Sequence, residues 1–174
     1  MSAGVAVRTV GPGDAAAYLA LRQASLREAP HLVGPRAERE ARADSVSLAS
    51  ILGSYPREGV HAFGAFLGPE CAAAAALARP ADVKYSHKMF LWGMYVLPAH
   101  RGRSLGQELL AHLVGFARGQ AGVRRLTLQV TTTNAAAKAL YGKFGFVTYG
   151  IERQAMLLDG ESHDFELMEL DLGR

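Results

Sequence analysis

The chain predicts one domain, residues 1–174, of α/β class: a mixed β-sheet of about seven strands flanked by about four helices. Three observations carry that expectation. At 174 residues, 49% of them hydrophobic and 20% charged, the chain can bury one self-sufficient core. Strand and helix patterns alternate most regularly between residues 89 and 146, as they do where crossover helices join parallel strands. A hairpin pattern around Gly68-Pro69 adds antiparallel strands and makes the sheet mixed.

The elements follow in order. Val5, Val7 and Thr9 alternate with their neighbours as a short strand, stopped by Gly11-Pro12-Gly13. Asp14 is placed to cap a helix in which Tyr18, Leu19, Leu21, Ala24, Ser25 and Leu26 keep helical spacing. Residues 30–42 read as a loop leading into a second helix that ends near Gly53. Residues 60–67 and 71–78 form a hairpin around the Gly68-Pro69-Glu70 turn, and residues 89–97 are a continuous apolar strand, as expected where both faces are covered. Leu105, Leu109, Leu110, Leu113, Phe116 and Ala117 make one apolar helical face closed by Gly119. Leu126, Leu128 and Val130 point one way from the next strand, and residues 135–144 form a helix stopped by Gly145. Strands at 146–151 and near 165–172 complete the sheet.

Composition excludes several functions. A formal net charge of +3 from scattered Lys and Arg gives no nucleic-acid stripe. The single Cys71 permits neither an intramolecular disulfide nor a multi-cysteine zinc cluster and reads as a small core residue. His31, His61, His87, His100, His112 and His163 have no H-x-H or H-E-x-x-H spacing, so no metal site is expected. Residues 1–13 lack the basic start and apolar core of a leader, and the longest nearly apolar run falls short of the ~20 residues that span a bilayer. The expectation is a cytoplasmic protein with no membrane partner.

The segment from Met94, Tyr95 and Val96 through Arg101, Gly102, Arg103, Ser104, Leu105, Gly106 and Gln107 carries the most information. A buried strand runs into a glycine-bearing turn and then a long amphipathic helix. Free amides at a helix start, with little side-chain bulk, make an anion site, and Arg101 and Arg103 add positive charge. A tight strand-to-helix connection is the plainer alternative. This stretch resembles motif A of the GNAT superfamily of N-acetyltransferases, Q/R-x-x-G-x-G/A after a strand ending in hydrophobic-Val-x-Pro. Arg101 fills the Q/R position and Gly106 the last one, whereas Ser104 stands where the first glycine is usual. Ser104 and Gln107 also spell an S-x-x-Q capping box that would compete for the same amides. The resemblance implies that the turn grips the pyrophosphate of acetyl-CoA, with Met94 to Val96 along the pantetheine arm. Gly93 in mid-strand marks either a bulge, as the family's splayed strand implies, or close packing.

Residues 134–146 resemble the family's motif B, N-x-x-A-x-x-L-Y-x-x-x-G-F, at every defining position. The resemblance implies that Asn134 contacts the cofactor and that Tyr141 protonates the departing CoA thiolate. Seven residues apart on a helix, the two share a face. Their plainer roles are a helix N-cap and a buried aromatic. Motif resemblance covers residues 89–151; Leu21-Arg22 and the carboxy-terminal strands resemble the family only loosely.

The general base has no motif. One branch of the family carries a Glu five residues before the motif B Asn, where this chain has Gln129, which cannot accept a proton. Glu152 and Asp164 remain as candidates. The resulting expectation is direct transfer of an acetyl group to a primary amine on a small molecule or peptide, with no nucleic acid involved and a homodimer as an open expectation. A non-catalytic acyl-CoA-binding sensor is the alternative that Gln129 favours; covalent acyl transfer through Cys71 is a minor one.

Overall fold

In the computed structural model, residues 4–173 are described, and they form one seven-stranded sheet with helices on both faces. Residues 1–3, the start of the segment read for a leader, and residue 174 lie outside the described residues. The elements are β1 (Val5–Thr9), α1 (Ala15–Glu28), α2 (Pro35–Arg42), α3 (Ser45–Ser54), β2 (Val60–Leu67), β3 (Glu70–Ala78), β4 (Lys88–Val96), α4 (Leu105–Gly119), β5 (Arg125–Thr131), α5 (Ala135–Lys143), β6 (Val147–Leu158) and β7 (Glu161–Asp171). The strand order is β1-β2-β3-β4-β5-β7-β6. Only β4 and β5 run parallel; the other five pairings are antiparallel. Leu105, Leu109, Leu110 and Leu113 bury the apolar stripe of α4 against one face, beside Leu126, Leu128 and Tyr141. The other face is covered by α1, α2 and α3 through Tyr18, Leu21, Ala37, Leu48 and Leu52.

Four details depart from the sequence reading. Residues 30–53 hold two α-helices in place of a loop and one helix, which brings the α-helices to five among the described residues. Pro35 opens α2 at a position where its missing N–H is not needed, and the Asp44 carboxylate opens α3 by accepting from the Val46 and Ser47 amides at 2.9 and 2.8 Å. Asp14 does not cap α1 with its side chain. Its carboxylate turns back to the Gly11 amide at 3.0 Å and to Arg8 at 2.7 Å. The last two strands are longer than expected, because edge strand β6 is mostly exposed and its polar residues hide the alternation that marks a strand.

The fourth departure sits in β4. Pairing with β5 ends at Leu91↔Leu128. Against β3, Trp92 faces Ala76 and Tyr95 faces Ala74, so β4 carries an extra residue over that step. Gly93 adopts φ +66° there, a bulge conformation that an L side chain resists. Met89, Leu91 and Trp92 are buried, whereas residues 93–96 are half-buried. The strand is covered on both faces only in its first half, and it splays from β5 where the expected cofactor arm would run. No helix among the described residues is long and apolar enough to cross a membrane.

Candidate functional site

The splayed half of β4 leads directly to the start of α4. Pro98 to His100 make a 3₁₀ turn, Gly102 takes φ +72°, and Ser104 takes φ +62° as the N-cap of α4. The first intrahelical bond runs from the Glu108 amide to the Ser104 carbonyl at 3.0 Å. The amides of Leu105, Gly106 and Gln107 therefore precede the ladder, and the Ser104 side chain caps none of them. The expected Ser104–Gln107 capping box does not form. A box needs an extended N-cap residue, and the left-handed backbone of Ser104 turns its hydroxyl away from the amides. Uncapped amides at the positive end of a helix fit a pyrophosphate. Residues 101–104 are all exposed beside them. A Cβ on Gly106 would lie 3.4 Å from Leu140 Cδ2 and 3.6 Å from Val96 Cγ2, so this position joins α4, α5 and β4 by ordinary contacts.

Arg101 behaves differently from the expectation that its charge lies free beside the turn. Its guanidinium donates twice to Glu28, its Nε donates to the Val96 carbonyl at 3.1 Å, and it stacks over the Tyr95 ring. The Tyr95 hydroxyl donates to the same Glu28 carboxylate. Arg101, then Tyr95, hold the Glu28 carboxyl below its ordinary range. Burial, and then Glu28, push the Tyr95 phenol up to about 12. Met94 and Val96 lie on the α4 face of β4 and Tyr95 on the α1 face. Among the described residues, Arg103 makes no ion pair at the turn and is exposed.

Asn134 is the N-cap of α5, with its side-chain oxygen accepting from the Ala137 amide at 3.2 Å. Tyr141 is buried, its ring centroid 5.6 Å from that of Phe146, and burial raises its phenol above the ordinary tyrosine range. Both plainer roles are thus realised in the fold. Gln129 and Glu152 are exposed. Asp164 accepts from the Gln154 amide at 2.8 Å and from Arg153 at 3.2 Å, which makes it a hairpin-holding group. It also lines a cavity of about 280 Å³ with Thr132, Thr133, Ser162 and His163, and His163 stacks on His31 at 5.6 Å. Cys71 is buried, and burial pushes its thiol up to about 12, which disfavours the thiolate near neutral pH.

One polar cluster escaped the sequence reading. Arg22, only 1% exposed, donates from Nε to Glu40 at 2.8 Å, from Nη2 to the Tyr18 hydroxyl at 2.5 Å and from Nη1 to the Gly93 carbonyl at 2.6 Å. Glu40 also accepts from the hydroxyls of Tyr18 and Tyr55. Burial opposes the charge on Arg22, but Tyr18 and Glu40 outweigh it and raise its pKa. The available signal was the i, i+4 spacing of Tyr18 and Arg22 on the buried face of α1. Glu40, eighteen residues further on in another helix, had none.

Residues 19–146 match the Acetyltransferase (GNAT) family. The chain belongs to the GNAT acetyltransferase family. This GNAT chain is 44% identical over 63 residues to the N-alpha-acetyltransferase RimI of Mycobacterium tuberculosis, covering 36% of the chain and 37% of that protein. It is 37% identical over 79 residues to the streptothricin acetyltransferase of Streptomyces lavendulae, covering 44% of the chain and 41% of that protein. The matched segments thus span well under half the length of these curated relatives. A GNAT acetyltransferase from Streptococcus pneumoniae shares the fold with a TM-score of 0.85 at 24% identity, over 98% of this chain and all of that one. The Salmonella typhimurium protein yncA, solved with its cofactor acetyl-CoA, superposes with a TM-score of 0.83 at 20% identity, over 98% of this chain and 95% of that one.

Proposed function

We propose that this GNAT chain is a single-domain N-acetyltransferase that uses acetyl-CoA to acetylate a primary amine by direct transfer. The observation that carries the proposal is the uncapped start of α4, reached straight from the splayed half of β4. One feature offers amides to a pyrophosphate and the other opens the sheet where an acyl arm can enter.

Acetyl-CoA supplies the thioester: the amine nitrogen bonds to the carbonyl carbon as the carbon–sulfur bond breaks, the amine losing one proton and the sulfur gaining one. The amides of Leu105, Gly106 and Gln107, with Arg103 beside them, hold the phosphates; Arg101, Gly102 and Ser104 shape the turn. Met94, Tyr95 and Val96 run along the arm, and a main-chain N–H of the splayed strand polarises the thioester oxygen. Asn134 orders the start of α5 next to the arm, and Tyr141 gives the proton to sulfur. Its buried phenol is protonated at neutral pH, the form from which a general acid must start. Gln129 cannot take the amine's proton, so the amine arrives neutral or gives its proton to water.

A panel of amines, aminoglycosides and peptides with acetyl-CoA, monitored by thiol release, tests the proposal. Release with at least one acceptor is the expected result. Acetyl-CoA binding without release from any acceptor would favour the sensor reading, whose supporting observations are an exposed Gln129 and an Asp164 already paired with Arg153.

A further inference from the structure

Arg22 reaches the reacting strand from the opposite side of the sheet to α4. Its guanidinium is fixed in three directions, by Glu40, by the Tyr18 hydroxyl and by the Gly93 carbonyl. Glu40 is in turn held by Tyr55, so α1, α2 and the turn after α3 all converge on one peptide of β4. A Cβ at position 93 would lie 2.8 Å from Arg22 Nη2 and 3.0 Å from Nη1. Glycine is therefore required twice, for its φ of +66° and for the guanidinium packed on it.

The Gly93 carbonyl and the Met94 N–H belong to the same peptide unit, which is planar and trans. Fixing the carbonyl toward α1 fixes the N–H away from it. A buried cation 2.6 Å from that oxygen draws electron density toward the carbonyl and leaves the N–H a stronger donor. We infer that Arg22 is a positioning residue for acyl transfer, orienting and polarising the Gly93–Met94 peptide so that the Met94 N–H meets the thioester oxygen. The inference rests on the reading above, in which a main-chain N–H of β4 stabilises charge developing on that oxygen. Glu40 and Tyr18 hold Arg22 in place and touch no reacting atom.

The test uses acetyl-CoA carrying ¹³C at the thioester carbonyl, bound to the full chain and followed by isotope-edited infrared spectroscopy. Wild type should lower the carbonyl stretch relative to free acetyl-CoA. The double substitution Arg22→Met/Glu40→Met removes both buried charges and leaves neither unpaired, which favours retention of the fold. It should lose most of that lowering, and kcat should fall about tenfold or more while the Kd for acetyl-CoA stays within about threefold. Arg22→Lys, the second variant, keeps a cation opposite Glu40 but cannot hold all three partners, and should recover part of both. Tyr55→Phe removes one donor to Glu40 without touching Arg22 and should lose a smaller part of the lowering than the double substitution. An unchanged lowering in the double variant and in Arg22→Lys overturns the assignment of Arg22 alone. No lowering in wild type with bound acetyl-CoA overturns the N–H polarisation itself.

Discussion

The carboxylate of Glu28, the last residue of α1, holds both terminal nitrogens of Arg101, at 2.7 and 2.8 Å. This pair ties α1 to the turn before α4 and cancels a positive charge next to the proposed phosphate site. Glu28→Gln should therefore tighten CoA binding by a few-fold at low salt, with the gain shrinking as salt rises. Calorimetry at two ionic strengths reads this. The Glu28 carboxyl is held below its ordinary range, so its contribution to stability is present above the unfolded carboxylate value of about 4.3 and lost as pH falls through the lower folded value. The melting difference between wild type and Glu28→Gln should stay constant from neutral pH down to about 5 and vanish in stronger acid. It should be small, because the pair is solvent-exposed.

Ser104 occupies a glycine conformation, φ +62°, and its side chain caps nothing. A left-handed non-glycine residue costs roughly 1 kcal/mol, and the extra unfolded-state freedom of glycine offsets about 0.5–1 kcal/mol of any gain. Ser104→Gly should thus be neutral to slightly stabilising in a thermal melt and should preserve or tighten CoA binding. Ser104→Val, β-branched at positive φ, should lower stability. Loss of CoA binding in Ser104→Gly would instead make the hydroxyl a ligand.

Gly106 tests the phosphate cradle. An added Cβ meets only ordinary contacts with Leu140 and Val96, so Gly106→Glu should fold. The new carboxylate would add negative charge and bulk to the first turn of α4, opposing an incoming pyrophosphate. Acetyl-CoA should raise the melting temperature of wild type by native-state binding, and this shift should be absent in Gly106→Glu.

Tyr141→Phe should lower turnover at least tenfold, a conservative bound beside the ~10²–10⁴ that general acids contribute, while acetyl-CoA affinity remains nearly intact. The ring still packs against Phe146. Burial raises the phenol above its ordinary value of about 10, so the acid form persists through neutral and mildly alkaline pH. The kcat of wild type should show no alkaline fall from this group below about pH 10. A fall near pH 8 that disappears in Tyr141→Phe would contradict the assignment.

Gln129 is exposed on β5, so Gln129→Glu should place a carboxylate with little burial at the position where a related branch has one. Turnover should be unchanged or raised, most for amines of high pKa assayed near neutral pH. A clear loss of kcat would show that the amide itself serves the reaction.

Local chemistry decided much of this protein. The α4 stripe and the Gly145 stop after α5 follow from side-chain period or backbone permissiveness, which a sequence displays directly. The turn from Arg101 to Gln107 and the Asn134 to Phe146 segment were legible for the same reason: a glycine-bearing helix start and a capped helix are short, contiguous devices. Three things were settled only by tertiary structure. Ser104 could have capped α4, and the backbone dihedral imposed by the turn prevents it. Arg101 could have faced the phosphate, and α1 presents Glu28 to it from seventy-three residues away in sequence. Arg22 sits in a helix that sequence reads as amphipathic, yet it is buried because Glu40, Tyr18 and the Gly93 carbonyl satisfy its donors. A buried charge is tolerated only where distant groups meet it, and no spacing rule within one helix can reveal partners supplied by two other elements.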